Sequence, residues 1–107
     1  MSITNVNDYI TEKRQSVIVT TEKRGVFFGY IEGDIPCPIP SDIKIYNARN
    51  CVYWSSETKG FLGLASIGPQ KGSRIGPPVE ELSLNGITSC AKCSTIATKQ
   101  WEEGIWS

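Results

Sequence analysis

The sequence predicts an α+β domain: a small antiparallel sheet of about five strands with one or two short helices. Three observations carry that expectation. β-Branched and aromatic residues gather in short runs, as in Ser16–Thr21 (SVIVTT) and Val26–Glu32 (VFFGYIE). Such runs suit a pleated surface that is at least half buried. Glycine and proline, 10 and 6 copies, punctuate the chain between the runs, so elements end at short intervals. The chain has 107 residues, which is the size of one domain spanning 1–107.

Taken in order, residues 4–14 place Val6, Tyr9, Ile10 and Lys13 at helical spacing behind Thr4, Asn5 and Asn7. Those three are capping residue types, so a short helix is expected there. Ser16–Thr21 and Val26–Glu32 form a hairpin across the polar turn Glu22-Lys23-Arg24-Gly25. Gly29 inside the second strand marks a bulge or a close approach. Gly33–Asp42 (GDIPCPIPSD) holds three of the six prolines and must be a loop, because proline cannot donate to a ladder. Ile43 to Trp54 reads as one long strand, or two short ones around Asn47-Ala48-Arg49-Asn50. Gly60–Ser66 (GFLGLAS) fits two helical turns. Gly68–Pro78 (GPQKGSRIGPP) is a loop of a length that is either functional or mobile. Val79–Ala91 reads as strand, turn at Asn85-Gly86, strand. Ser94 caps a last helix to Trp101. Trp101, Ile105 and Trp106 are expected to fold back onto the sheet.

Composition excludes several functions. There is no histidine, which removes Ser-His-Asp and Cys-His nucleophile systems and His-ligated metals. Carboxylates are present, but none sits in a motif with a nucleophile, so no catalytic residue is assigned. The first residues lack a basic start and an apolar core, so no signal peptide is expected. No apolar run approaches the roughly 20 residues of a membrane span. A cytoplasmic protein with reduced thiols is the expectation.

Lys+Arg and Asp+Glu balance at 11 each, but the charges are unevenly placed. From Ile43 to Val79, Lys44, Arg49, Lys59, Lys71 and Arg74 face only Glu57, a local net charge of +4. Long nucleic acid needs a wider basic footprint. A small anionic, aromatic ligand fits this centre better. Asn47, Arg49 and Tyr53 share a face if their strand is regular. In this reading Arg49, Lys71 and Arg74 hold phosphate, and Tyr53 or Trp54 stacks the base. Backbone amides of Gly72, Ser73 and Gly76 suit an anion nest, though the P-loop pattern is absent. The alternative is that Trp54 and Tyr46 are core and Arg49 is surface. Cys90-Ala91-Lys92-Cys93 is the other motif. As half of a zinc site it would need Cys37 and Cys51, which are far apart in sequence. Four buried thiols are the simpler reading, and no cofactor is expected.

Residues 17–101 carry Gly25-Val26-Phe27, Gly29-Tyr30, Asn47-Ala48-Arg49, Tyr53-Trp54, Leu64-Ala65 and Cys93. In these motifs the chain resembles a family of small, uncharacterised phage and prophage accessory proteins. The Gly68–Pro78 loop looks particular to this chain. The resemblance implies a small accessory phage protein. Such proteins are often antagonists of host defence, and some are sponges for a nucleotide immune signal.

Together these readings lead to a non-catalytic, phage-encoded protein that sequesters a small nucleotide-derived signal. Its expected ligand-binding residues are Asn47, Arg49, Tyr53, Trp54, Lys71, Ser73 and Arg74. A homo-oligomer is expected to complete the pocket. The alternatives are a protein–protein inhibitor or structural phage component using Phe27, Phe28 and Tyr30 as an exposed patch, or a small zinc protein on Cys37, Cys51, Cys90 and Cys93.

Overall fold

A computed structural model describes residues 14–103 apart from 24 and 37. The expected helix over 4–14 and the packing of Ile105 and Trp106 lie outside the described residues, except that Arg14 already begins a strand. The elements are β1 (Arg14–Thr21), β2 (Val26–Glu32), β3 (Asp42–Tyr53), a 3₁₀ turn (Ser56–Thr58), α1 (Gly60–Ser66), β4 (Arg74–Ile75), β5 (Val79–Asn85), β6 (Ile87–Lys92) and α2 (Thr95–Glu103).

The strands form one six-stranded antiparallel sheet. β1 and β2 make the expected hairpin, with Val17 opposite Gly29 and Thr20 opposite Val26. β3 runs unbroken along β2 on one edge, and takes β5 and then β4 on the other. β4 is a two-residue strand inside the segment expected to be all loop.

Asn85-Gly86 does turn the chain, but it does not make a hairpin. β5 pairs with β3 and β6 pairs with β1. Gly86 sits between them at φ 67, a left-handed conformation that glycine adopts without strain. There the Glu22 amide donates to the Gly86 carbonyl at 2.8 Å, and the Ile87 amide to the Ser41 carbonyl at 3.1 Å. The two ends of the sheet therefore meet, and the sheet rolls upon itself. Val17, Val19, Ile31, Ile45 and Ala48 fill the inner side, with Leu82, Leu84 and Ile87 packed against them. Gly29 is needed at this roll: a Cβ there would lie 2.8 Å from the Ile45 side chain.

The helices cover the outer side. Trp101 and Ala97 of α2 and Leu64 of α1 are fully buried with Ile18, Phe28, Cys51, Ile75 and Cys93. Trp101 stacks nearly parallel on Phe28, centroids 5.1 Å apart, and its indole N–H donates to the Leu64 carbonyl at 3.1 Å. Ser94 caps α2 as its sequence position implies: its hydroxyl accepts from the Ala97 amide at 3.0 Å and donates to the Ser66 carbonyl at 2.7 Å. One serine thus satisfies the start of α2 and the end of α1. Among the described residues, no helix is long and apolar enough to cross a membrane.

Candidate functional site

The seven residues expected to bind ligand fall into two groups. Asn47 and Arg49 lie in the middle of β3, beside β2 and the end of α2. Tyr53, Trp54, Lys71, Ser73 and Arg74 lie where β3 runs out against β4.

The strand is not regular: one register shift falls at Asn47 and a second between Cys51 and Tyr53, and the second separates the groups. Asn47 has φ 50, and the β2–β3 register slips there: Phe28 opposes Arg49, but Tyr30 opposes Tyr46. A bulge adds one residue to β3 and reverses which side later residues face. Ala48 consequently joins Ile45 inside the roll, and Arg49 turns to the helix side. Arg49 is only 8% exposed. Its Nε donates to the Gly76 carbonyl and its Nη1 to the Trp101 carbonyl, both at 2.7 Å. Burial lowers its pKa. The expectation that Arg49 holds phosphate is corrected on this ground: its donors tie the β4–β5 connection and the α2 end to β3. It is not a surface arginine either.

Beside Arg49 is a cleft of about 220 Å³ lined by Phe28, Tyr30, Asn47, Arg49, Pro78 and Glu102. The Tyr30 hydroxyl donates to Glu102 Oε2. Burial and that carboxylate push the Tyr30 hydroxyl well above the usual tyrosine range. Asn47 was anticipated as a site residue. Tyr30 and Glu102 were not paired with it, and no sequence spacing joins Glu102 to residues half the chain away.

At the second group the loop is anchored rather than free. Thr58 and Ser73 are buried at 0% and 2% exposure. The Ser73 hydroxyl accepts from the Ser55 amide at 2.9 Å and lies 3.2 Å from the Thr58 hydroxyl. The Gln70 amide donates to Thr58 Oγ1 at 3.0 Å. Ser73 therefore builds the turn instead of facing a ligand. The expected anion nest fails for a related reason: the Ser73 amide donates to Gln70 and the Gly76 amide to Asn50. Trp54 is half-buried against the outer core, so its ring is not an open stacking surface.

What remains exposed is compact. Tyr53 is 56% exposed and is the cross-strand partner of Arg74, which is exposed too. Lys71 is exposed at the tip of the turn that leads into β4. Of the other cations in the basic centre, Lys44 pairs with Glu81 at 3.4 Å, whereas Lys59, Lys71 and Arg74 have no carboxylate partner among the described residues.

The cysteines behave as core. Burial pushes the Cys51 thiol up to about 11 and the Cys93 thiol up to about 12, and raises Cys90. Cys93 sits in the outer core and Cys90 packs toward the inner one, so the CxxC is divided between two layers. Among the described residues no three His, Cys, Asp or Glu side chains gather as metal ligands, and Cys37 lies outside them. The expected aromatic patch on the hairpin is also corrected: Phe28 is 1% exposed, and Phe27 and Tyr30 are half-buried.

The chain belongs to the family described as Domain of unknown function (DUF6948), whose model matches residues 14–101. The match starts on the first residue of β1 and ends on Trp101, so it takes in the whole sheet, α1 and α2 as far as Trp101. Searches of curated proteins and of solved structures found no match.

Proposed function

We propose that this protein is a non-catalytic binding domain that captures a small nucleotide-type ligand on the Tyr53–Arg74 face. The observation that carries the reading is the cross-strand pairing of these two exposed side chains. A ring beside a guanidinium offers stacking for a base and two donors for a phosphate. Lys71 on the adjoining turn adds a second cation with no carboxylate partner among the described residues. The raised thiols of Cys51, Cys90 and Cys93 support a reading without a cysteine nucleophile, since the thiolate is the reactive form. The face is open, so a second copy of the chain closes over the ligand. In the host cytoplasm, sequestering a nucleotide immune signal is the role that the phage-protein resemblance supports.

Calorimetric titration with cyclic dinucleotides and ADP-ribose derivatives tests the reading. At least one is expected to bind, with about tenfold loss or more in Tyr53→Ala, given the usual worth of base–aromatic stacking. No heat from any of them would overturn it.

A further inference from the structure

We propose that the cleft between the β3 bulge and the end of α2 is a second binding site, which takes a small, flat, uncharged heterocycle bearing an amino group. The ligand here needs no phosphate, so the proposal does not rest on the Tyr53–Arg74 reading.

Size sets the first limit. At about 220 Å³ the cleft is smaller than the roughly 300 Å³ at which pockets for drug-sized ligands begin. One or two fused rings fit, without a sugar. The lining sets the second. The Tyr30 ring, met edge to face by the buried Phe28 ring with centroids 5.5 Å apart, lines the cleft together with Pro78. Flat apolar surfaces of this kind suit a ring.

Charge sets the third. Arg49 and Glu102 both line the cleft, and their formal charges cancel. The Arg49 guanidinium is committed to the Gly76 and Trp101 carbonyls, so it offers little to an anion. Glu102 accepts the Tyr30 hydroxyl on Oε2 and lines the cleft, and a carboxylate has a second oxygen that can accept. Asn47 supplies an amide with a donor and an acceptor. A carboxylate acceptor beside an amide complements an edge with an amino group next to a ring nitrogen. Asn47 stands at φ 50, where glycine would be easier to place. An asparagine there keeps an amide in the lining of the cleft at some backbone cost.

The test is calorimetry on the full chain with free adenine, cytosine and uracil. Adenine or cytosine is expected to bind, and uracil at least tenfold more weakly, because it lacks the amino group. Glu102→Gln keeps the Tyr30 acceptor and removes the charge, and is expected to weaken adenine about tenfold. Asn47→Gly suits the local φ, and is expected to weaken binding while the unfolding midpoint stays level or rises. The proposal is overturned if neither amino base binds, if uracil binds equally, or if neither Glu102→Gln nor Asn47→Gly changes affinity.

Discussion

Arg49 and Arg74 belong to the same basic stretch of sequence, yet the fold gives them opposite work. Arg49 is buried and spends two donors on backbone carbonyls from two other parts of the chain. Arg74 stands exposed beside Tyr53 on a short edge strand. A cation inside is a clamp and a cation outside is a contact. The difference is set by the bulge at Asn47 and not by residue type.

The largest effect is expected at the ring that Arg49 helps to seat. Trp101→Ala removes the stack on Phe28 and the bond to Leu64, and urea unfolding should show a loss of about 3–5 kcal/mol. Arg49→Leu leaves the Gly76 and Trp101 carbonyls without these donors, and a loss of about 2–4 kcal/mol is expected. Arg74→Leu should stay within about 0.5 kcal/mol by the same assay. Equal costs at the two arginines would break the comparison. Thr58→Val removes the hydroxyl that receives Gln70 and meets Ser73, for about 1–3 kcal/mol.

Alkaline pH probes the core around the clamp. Cys93 and Cys51 ionise at about 12 and about 11 in the folded protein, against 9.0 ordinarily. Both folded values are raised, so their contribution is complete below pH 9.0 and is lost as pH climbs to about 11 and then about 12. The unfolded chain releases these protons first and is favoured. The denaturation midpoint should fall across that window, and less steeply in a Cys51→Ala, Cys93→Ala double variant. At the bulge itself the effect is smaller than at the clamp. Asn47→Gly should match or exceed the native stability by up to about 1 kcal/mol, and Asn47→Val should lose about 1–2 kcal/mol.

Much of the fold is legible in the sequence because it rests on local rules. The β1–β2 hairpin, the Gly60–Ser66 helix, the Ser94 cap and the break at Asn85-Gly86 all follow from residue type and spacing. What is not legible depends on distant partners. Nothing local says that β5 and β6 pair with different strands, or that two residues of a proline-rich loop become β4. The site suffers from the same gap. An alternating pattern puts Arg49 and Tyr53 on one face, and the register shift between Cys51 and Tyr53 undoes it. Ser73 carried the composition of an anion loop, but its neighbours Ser55 and Thr58 claim its hydroxyl. Tyr53 and Arg74 are exposed because they pair where β3 runs out, on an edge that nothing covers among the described residues.

Mass spectrometry of the small molecules released when the purified protein is denatured tests the central claim most directly. A phosphate-bearing, aromatic compound should leave the native protein in stoichiometric amount, and Arg74→Ala should release at least tenfold less. Release of no such compound from the native protein, or equal release from Arg74→Ala, would contradict the account.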